Sequence, residues 1–143
     1  MHPDDLNAIR SVLEHNSSIV FAFLYGSSQV SDLYNDIDIA VYSKDNPPPP
    51  GLSVDLQIAL SAKTGKAPDQ FYVRVINRLL QKGDLFALLY LNDVLNRGRL
   101  LIDNDFQQRL RHFLKIFDRL DTQAYGHLLF QSSGMRILLA SHS

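Results

Sequence analysis

Two short segments, separated by eight residues, place the strongest constraint on the fold of this chain. The first, residues 19–27, is apolar until it ends in Gly-Ser, and the second, residues 36–41, reads Asp-Ile-Asp-Ile-Ala-Val. Side chains on a strand alternate between its two faces, so Asp36 and Asp38 share one face and the apolar residues share the other. The pattern predicts two strands, the second of which opens with a pair of carboxylates.

The pair of aspartates predicts a site for a divalent cation. The two residues are roughly 7 Å apart along a strand, and their carboxylates are the hard oxygen ligands that Mg²⁺ takes. A turn at Gly26 and Ser27 can offer backbone N–H groups to a phosphate. Aspartate is disfavoured in strands, and like charges held together raise the energy unless something neutralises them. We therefore favour a binding role for the pair over simple solubility.

These residues carry a family resemblance. Gly26-Ser27, a loop and then Asp36-Ile37-Asp38 resemble the signature of the DNA polymerase β-like nucleotidyltransferases. In length and surroundings the chain is most similar to the minimal nucleotidyltransferase (MNT) antitoxins that accompany HEPN-type ribonuclease toxins. The resemblance covers residues 18–102. It implies an α+β fold with a mixed β-sheet flanked by helices, the nucleotidyltransferase fold.

The position of a third carboxylate depends on how residues 51–64 are interpreted. Apolar residues alternate there as in a strand, but they also form a helical stripe that Gly65 would close as a C-terminal cap. In the helical interpretation, which the family resemblance favours, a strand covers residues 70–76 and Asp69 supplies the third carboxylate. In the strand interpretation Asp55 supplies it. We favour Asp69.

The rest of the chain reads as helices around these strands. Apolar residues recur at helical spacing after Pro3, within residues 85–95, and after Asp105, where the stripe is strongly amphipathic. Residues 99–102 form a short predicted strand. We expect a single domain over residues 1–143, with a nucleotidyltransferase core over 18–102 and a helical C-terminal extension over 103–143.

Composition narrows the classes of partner. The net charge of −1 provides no general attraction to nucleic acid, so extended nucleic-acid binding is not expected. The chain has no cysteine, which excludes thiolate metal sites. Apolar runs are too short to span a membrane, and the N-terminus does not resemble a signal peptide. We expect a cytoplasmic protein.

The resemblance implies a function as well as a fold. It implies that Asp36, Asp38 and Asp69 hold two Mg²⁺ ions, that Gly26 and Ser27 bind the phosphates of ATP, and that AMP passes to a tyrosine of a cognate HEPN-type toxin. The loop after Ser27 is about two residues shorter than the common form and lacks its Arg-Gly. The alternative is therefore an inactive protein of the same fold that neutralises its partner by binding. Transfer to a small molecule would need a second domain.

Overall fold

The computed structural model describes residues 1–26 and 36–122, and it gives side-chain surroundings as far as residue 119. The elements in chain order are α1 (Pro3–Glu14), β1 (Ile19–Tyr25), β2 (Ile37–Ser43), α2 (Leu52–Thr64), a one-turn 3₁₀ helix (Pro68–Gln70), β3 (Phe71–Val75), α3 (Asn77–Lys82), α4 (Leu85–Arg97), β4 (Arg99–Asp103) and α5 (Phe106–Thr122). The predicted α+β class is confirmed. The predicted loop from Ser27 to the paired aspartates lies outside the described residues, as does the part of the C-terminal extension beyond α5.

The four strands form one mixed sheet in the order β3-β2-β1-β4. Strand β1 is antiparallel to both β2 and β4, whereas β3 runs parallel to β2. The β2–β3 register pairs Ile37 with Phe71 and Asp38 with Tyr72. Since the two strands are parallel, their N-terminal ends meet at the same edge of the sheet.

Contacts divide the chain into two compact units. The first comprises Met1–Asn77 and Arg99–Asn104, which include the whole sheet with α1 and α2. Its core is formed by one face of the sheet and by the apolar stripes of both helices, with Ile9, Leu13, Leu24, Ile37, Ile39, Leu56, Leu60 and Phe71 all fully buried. The alternation of β2 therefore places its isoleucines in the core, as predicted.

The segment 51–64 forms a helix from Leu52 onward, as favoured from the sequence. Helix α2 ends at Gly65, whose φ of +76° is the left-handed conformation in which many helices terminate. Leu52, Leu56 and Leu60 lie on its buried side. The alternation that suggested a strand combines two exposed positions of this helix, Val54 and Ile58, with the buried Leu56 and Leu60.

Of the described residues, the second unit comprises Arg78–Gly98 and the chain from Asp105 to Thr122. Helix α4 begins where the Asp84 side chain accepts a hydrogen bond from the Ala87 N–H at 2.8 Å. In α5 the guanidinium of the buried Arg109 lies 5.1 Å from the centre of the Phe106 ring and 5.3 Å from that of Phe113. No helix within the described residues is long and apolar enough to cross a membrane.

Candidate active site

The paired aspartates lie at the start of β2, on the side of the strand that faces away from the helices α1 and α2. Ile37 and Ile39 point into the core beneath those helices, so alternation directs Asp38 to the opposite face of the sheet. Asp38 is partly buried, whereas Asp36, which directly precedes the strand, is exposed. The pair thus combines the solvated carboxylate of Asp36 with the partly buried carboxylate of Asp38.

The charge state of Asp38 reflects this position. Burial raises the pKa of the Asp38 carboxyl above its ordinary value, and repulsion from the nearby Asp36 carboxylate raises it further. Both effects make the doubly ionised pair unfavourable in the absence of a positive charge. A divalent cation would relieve the repulsion and replace the lost hydration, so the electrostatics of the pair fit cation binding.

Gly26, which directly follows β1, lies against the Asp38 carboxylate. Its φ is +82°, a conformation that side chains other than glycine adopt with strain. A Cβ built on Gly26 would collide with Oδ2 of Asp38 and lie 3.4 Å from its Cγ. Only glycine therefore lets the backbone turn this closely against the Asp38 carboxylate. The predicted partner in this turn, Ser27, lies outside the described residues.

A row of three polar side chains crosses the sheet at Asp38. The antiparallel register pairs Asp38 with Tyr25 of β1, and the parallel register pairs it with Tyr72 of β3. Paired residues on neighbouring strands project from the same face, so the carboxylate lies between two tyrosines. Tyr72 was not identified from the sequence. In β3 it is an exposed residue between the buried Phe71 and Val73.

The two candidates for a third carboxylate lie in different places. Asp69 is exposed in the 3₁₀ helix that leads directly into β3, at the edge of the sheet where β2 also begins. Asp55 is exposed on α2 and lines a surface cleft between α1 and α2, on the face of the sheet opposite Asp38. These positions favour Asp69, and its assignment stays a prediction.

Within residues 1–26 and 36–122, no three side chains of His, Asp or Glu are gathered closely enough to form a metal cluster by themselves. Asp36 and Asp38 remain as a pair of hard oxygen donors. Such a pair suits Mg²⁺, which commonly binds one or two carboxylates and completes its shell with substrate phosphates and water.

Comparison with known families identifies the class of protein. The sequence model of the family described as Polymerase beta, Nucleotidyltransferase matches residues 7–107, well over half of the chain. This span contains Gly26, Asp36, Asp38 and Asp69. The chain therefore belongs to the polymerase β-type nucleotidyltransferase family, and the resemblance inferred from its motifs is confirmed. No curated protein sequence gives a significant match.

Solved structures of toxin–antitoxin complexes have a similar fold. One contains a tri-AMPylated Shewanella oneidensis HEPN toxin with its MNT antitoxin (20% identity, TM-score 0.53, 97% of each chain covered). Another is the toxin–antitoxin pair MntA–HepT (18%, 0.52, 97% of each chain). A third is a toxin–antitoxin with AMP-PNP (22%, 0.53, 96% of this chain and 98% of that one). At these identities the similarity establishes the fold.

Proposed function

We propose that this chain is a metal-dependent nucleotidyltransferase that acts as a cytoplasmic antitoxin. In this proposal it transfers AMP from ATP to a tyrosine of a cognate HEPN-type ribonuclease toxin. The observation that carries the proposal is the Gly26 turn packed against the Asp38 carboxylate, with Asp36 beside it. The AMPylated toxin and the AMP-PNP complex among the similar structures support the choice of acceptor and donor.

Each residue of the site has a distinct role in this reaction. Asp36 and Asp38 would hold the cation, with Asp69 as a third ligand from the turn before β3. Two Mg²⁺ ions bound there would supply positive charge to the phosphate oxygens and lower the pKa of the acceptor hydroxyl. Gly26 lets the backbone approach a phosphate, and we expect Ser27 to donate a hydrogen bond to it.

The transfer itself breaks a phosphoanhydride bond of ATP and forms a phosphoester bond to the acceptor. The phenolic oxygen of the acceptor forms a bond to the α-phosphorus of ATP, and the bond from that phosphorus to the bridging oxygen breaks. Pyrophosphate leaves and the phenolic proton passes to water. The protein contributes mainly by positioning and by fixed charge, because the reaction needs no covalent intermediate with the chain.

Neutralisation by binding alone is the second candidate. The observation that favours it is that the described residues bring together two carboxylates, Asp36 and Asp38, and not three. A protein that only occludes its partner would need no nucleotide. The two candidates therefore differ in whether ATP is required.

An RNA-cleavage assay of the cognate toxin separates these candidates. The toxin is incubated with the chain, with or without ATP and Mg²⁺, and the chain is then removed before RNA is added. We expect toxin activity to be lost only when ATP was present, and to stay lost after the chain is removed. Asp38→Asn should fail to inactivate the toxin.

Asp45→Asn is the matched control, because it makes the same chemical change at an exposed position just beyond the other end of β2. It should inactivate the toxin as the native chain does. If neutralisation needs no ATP, is reversed on removal of the chain, and is equal for Asp38→Asn and Asp45→Asn, occlusion is correct and transfer is not.

A further inference from the structure

Tyr72 is an exposed aromatic residue of β3 that pairs with Asp38 in the register of the sheet. It is 56% exposed, although both of its neighbours in β3 are buried. The parallel register pairs it directly with Asp38. Neighbouring strands lie about 4.8 Å apart, so the Tyr72 side chain rises from the sheet immediately beside the Asp38 carboxylate.

The other described tyrosines are placed differently. Tyr42 is buried and stacks on Phe21, with ring centres 5.0 Å apart. Tyr25 flanks Asp38 on the β1 side but is only partly exposed, and it engages in interactions of its own. Tyr90 lies on α4, in the other compact unit. Tyr72 therefore combines exposure with direct adjacency to the paired aspartates.

We propose that Tyr72 is itself an acceptor, so that the chain adenylylates its own Tyr72 hydroxyl. This inference rests on the proposed function, because it uses the same site and the same nucleoside triphosphate. It requires no new chemistry, since the acceptor group is again a phenol. An acceptor carried on the neighbouring strand is held near the site permanently, and such proximity replaces the bimolecular encounter that an external acceptor needs.

Transfer of AMP to Tyr72 forms and breaks the same kinds of bond as transfer to a partner. The Tyr72 phenolic oxygen forms a bond to the α-phosphorus, the bond from that phosphorus to the bridging oxygen breaks, and pyrophosphate leaves. The phenolic proton goes to water, and nothing is oxidised or reduced. The product places a nucleotide and a negative charge beside Asp36 and Asp38. Modification of Tyr72 should therefore block the site and limit further transfer.

Mass spectrometry of the chain without its partner tests this inference. The chain is incubated with ATP and Mg²⁺, stripped of both with a chelator and by desalting, and measured intact and as peptides. We expect the mass of one AMP on the peptide that contains Tyr72. The rate per molecule should not change when the protein is diluted, because acceptor and site belong to the same chain.

Three variants locate the acceptor. Tyr72→Phe keeps the ring but removes the hydroxyl, and should gain no mass. Tyr90→Phe makes the same change on α4 and should be modified as the native chain is. Asp38→Asn should not be modified. A chain modified beforehand with ATP should transfer AMP to its partner more slowly than an untreated chain.

The possible outcomes separate this inference from the function on which it rests. If the partner toxin gains AMP while the chain never does, self-modification is wrong and the proposed function stands. If AMP appears on the chain at another residue, or if Tyr72→Phe is modified like the native chain, the assignment to Tyr72 is wrong. If neither protein is modified, both proposals are wrong.

Discussion

Replacing Gly26 by alanine should damage the site far more than it damages the fold. Two effects follow from the structure. The φ of +82° becomes strained, which costs about 1–2 kcal/mol for a residue with a Cβ. In addition, the new Cβ collides with Oδ2 of Asp38, so the carboxylate must move by about 1 Å to reach an ordinary contact distance.

Gly65→Ala separates these two effects. Gly65 also has a positive φ, +76°, but a Cβ there meets nothing within 4 Å. Both variants should therefore lose about 1–2 kcal/mol of unfolding free energy, measured by urea denaturation. Only Gly26→Ala should lose transfer activity, by about 10²-fold, because a misplacement of about 1 Å can cost that much.

The assay compares the initial rate of AMP addition to the toxin by the native chain and both variants, under conditions where each is fully folded. Equal rates for Gly26→Ala and Gly65→Ala would refute the argument that the glycine turn protects the position of the Asp38 carboxylate.

Three further predictions concern stability. The pKa of Asp38 is raised above 3.8 in the folded chain, so the folded chain loses stability as pH rises from 3.8 through this raised pKa. Metal-free Asp38→Asn should therefore be more stable than the native chain in thermal unfolding at pH 7. This gain in stability should disappear below about pH 3.8. Asn77, which is buried, accepts from the Ser43 N–H at 2.8 Å and donates to the Ser43 carbonyl at 2.8 Å, so Asn77→Ala should cost about 2–4 kcal/mol in urea denaturation. Burial, with Lys115 and Arg111 nearby, lowers the pKa of His112 below 6.5, so stability should fall as pH drops from 7 through the folded-state pKa, and His112→Gln should flatten that slope.

The sequence correctly predicted those helices and strands whose pattern of apolar residues fits only one type of secondary structure. Strands β1 and β2 were both predicted, β1 from its continuous apolar run and β2 from the alternation of aspartate and isoleucine at its start. In α2 the apolar residues fit both the two-residue period of a strand and the period of a helix. Gly65 favoured the helix because it supplies a left-handed cap. Helix α3 was missed, since a six-residue helix is too short to establish a period.

The arrangement around Asp38 could be predicted only in part. Asp38 lies in β2 and Asp36 directly precedes that strand, so alternation alone brings them together. Tyr72 reaches Asp38 through the register of β3 on β2, which is set by core packing between distant segments and leaves no mark in the local sequence. Asp69 lies in a 3₁₀ turn, where strand alternation does not apply, so its direction could not be read from spacing.

The intact mass of the cognate toxin tests the central claim most directly. After incubation with ATP, Mg²⁺ and the native chain, the toxin should carry the added mass of AMP on a tyrosine. Asp45→Asn should do the same, and Asp38→Asn should be slower by about 10² to 10⁴, which corresponds to several kcal/mol of barrier. A toxin that is fully neutralised by the native chain but never gains mass, or that gains AMP equally fast from Asp38→Asn, would contradict the account.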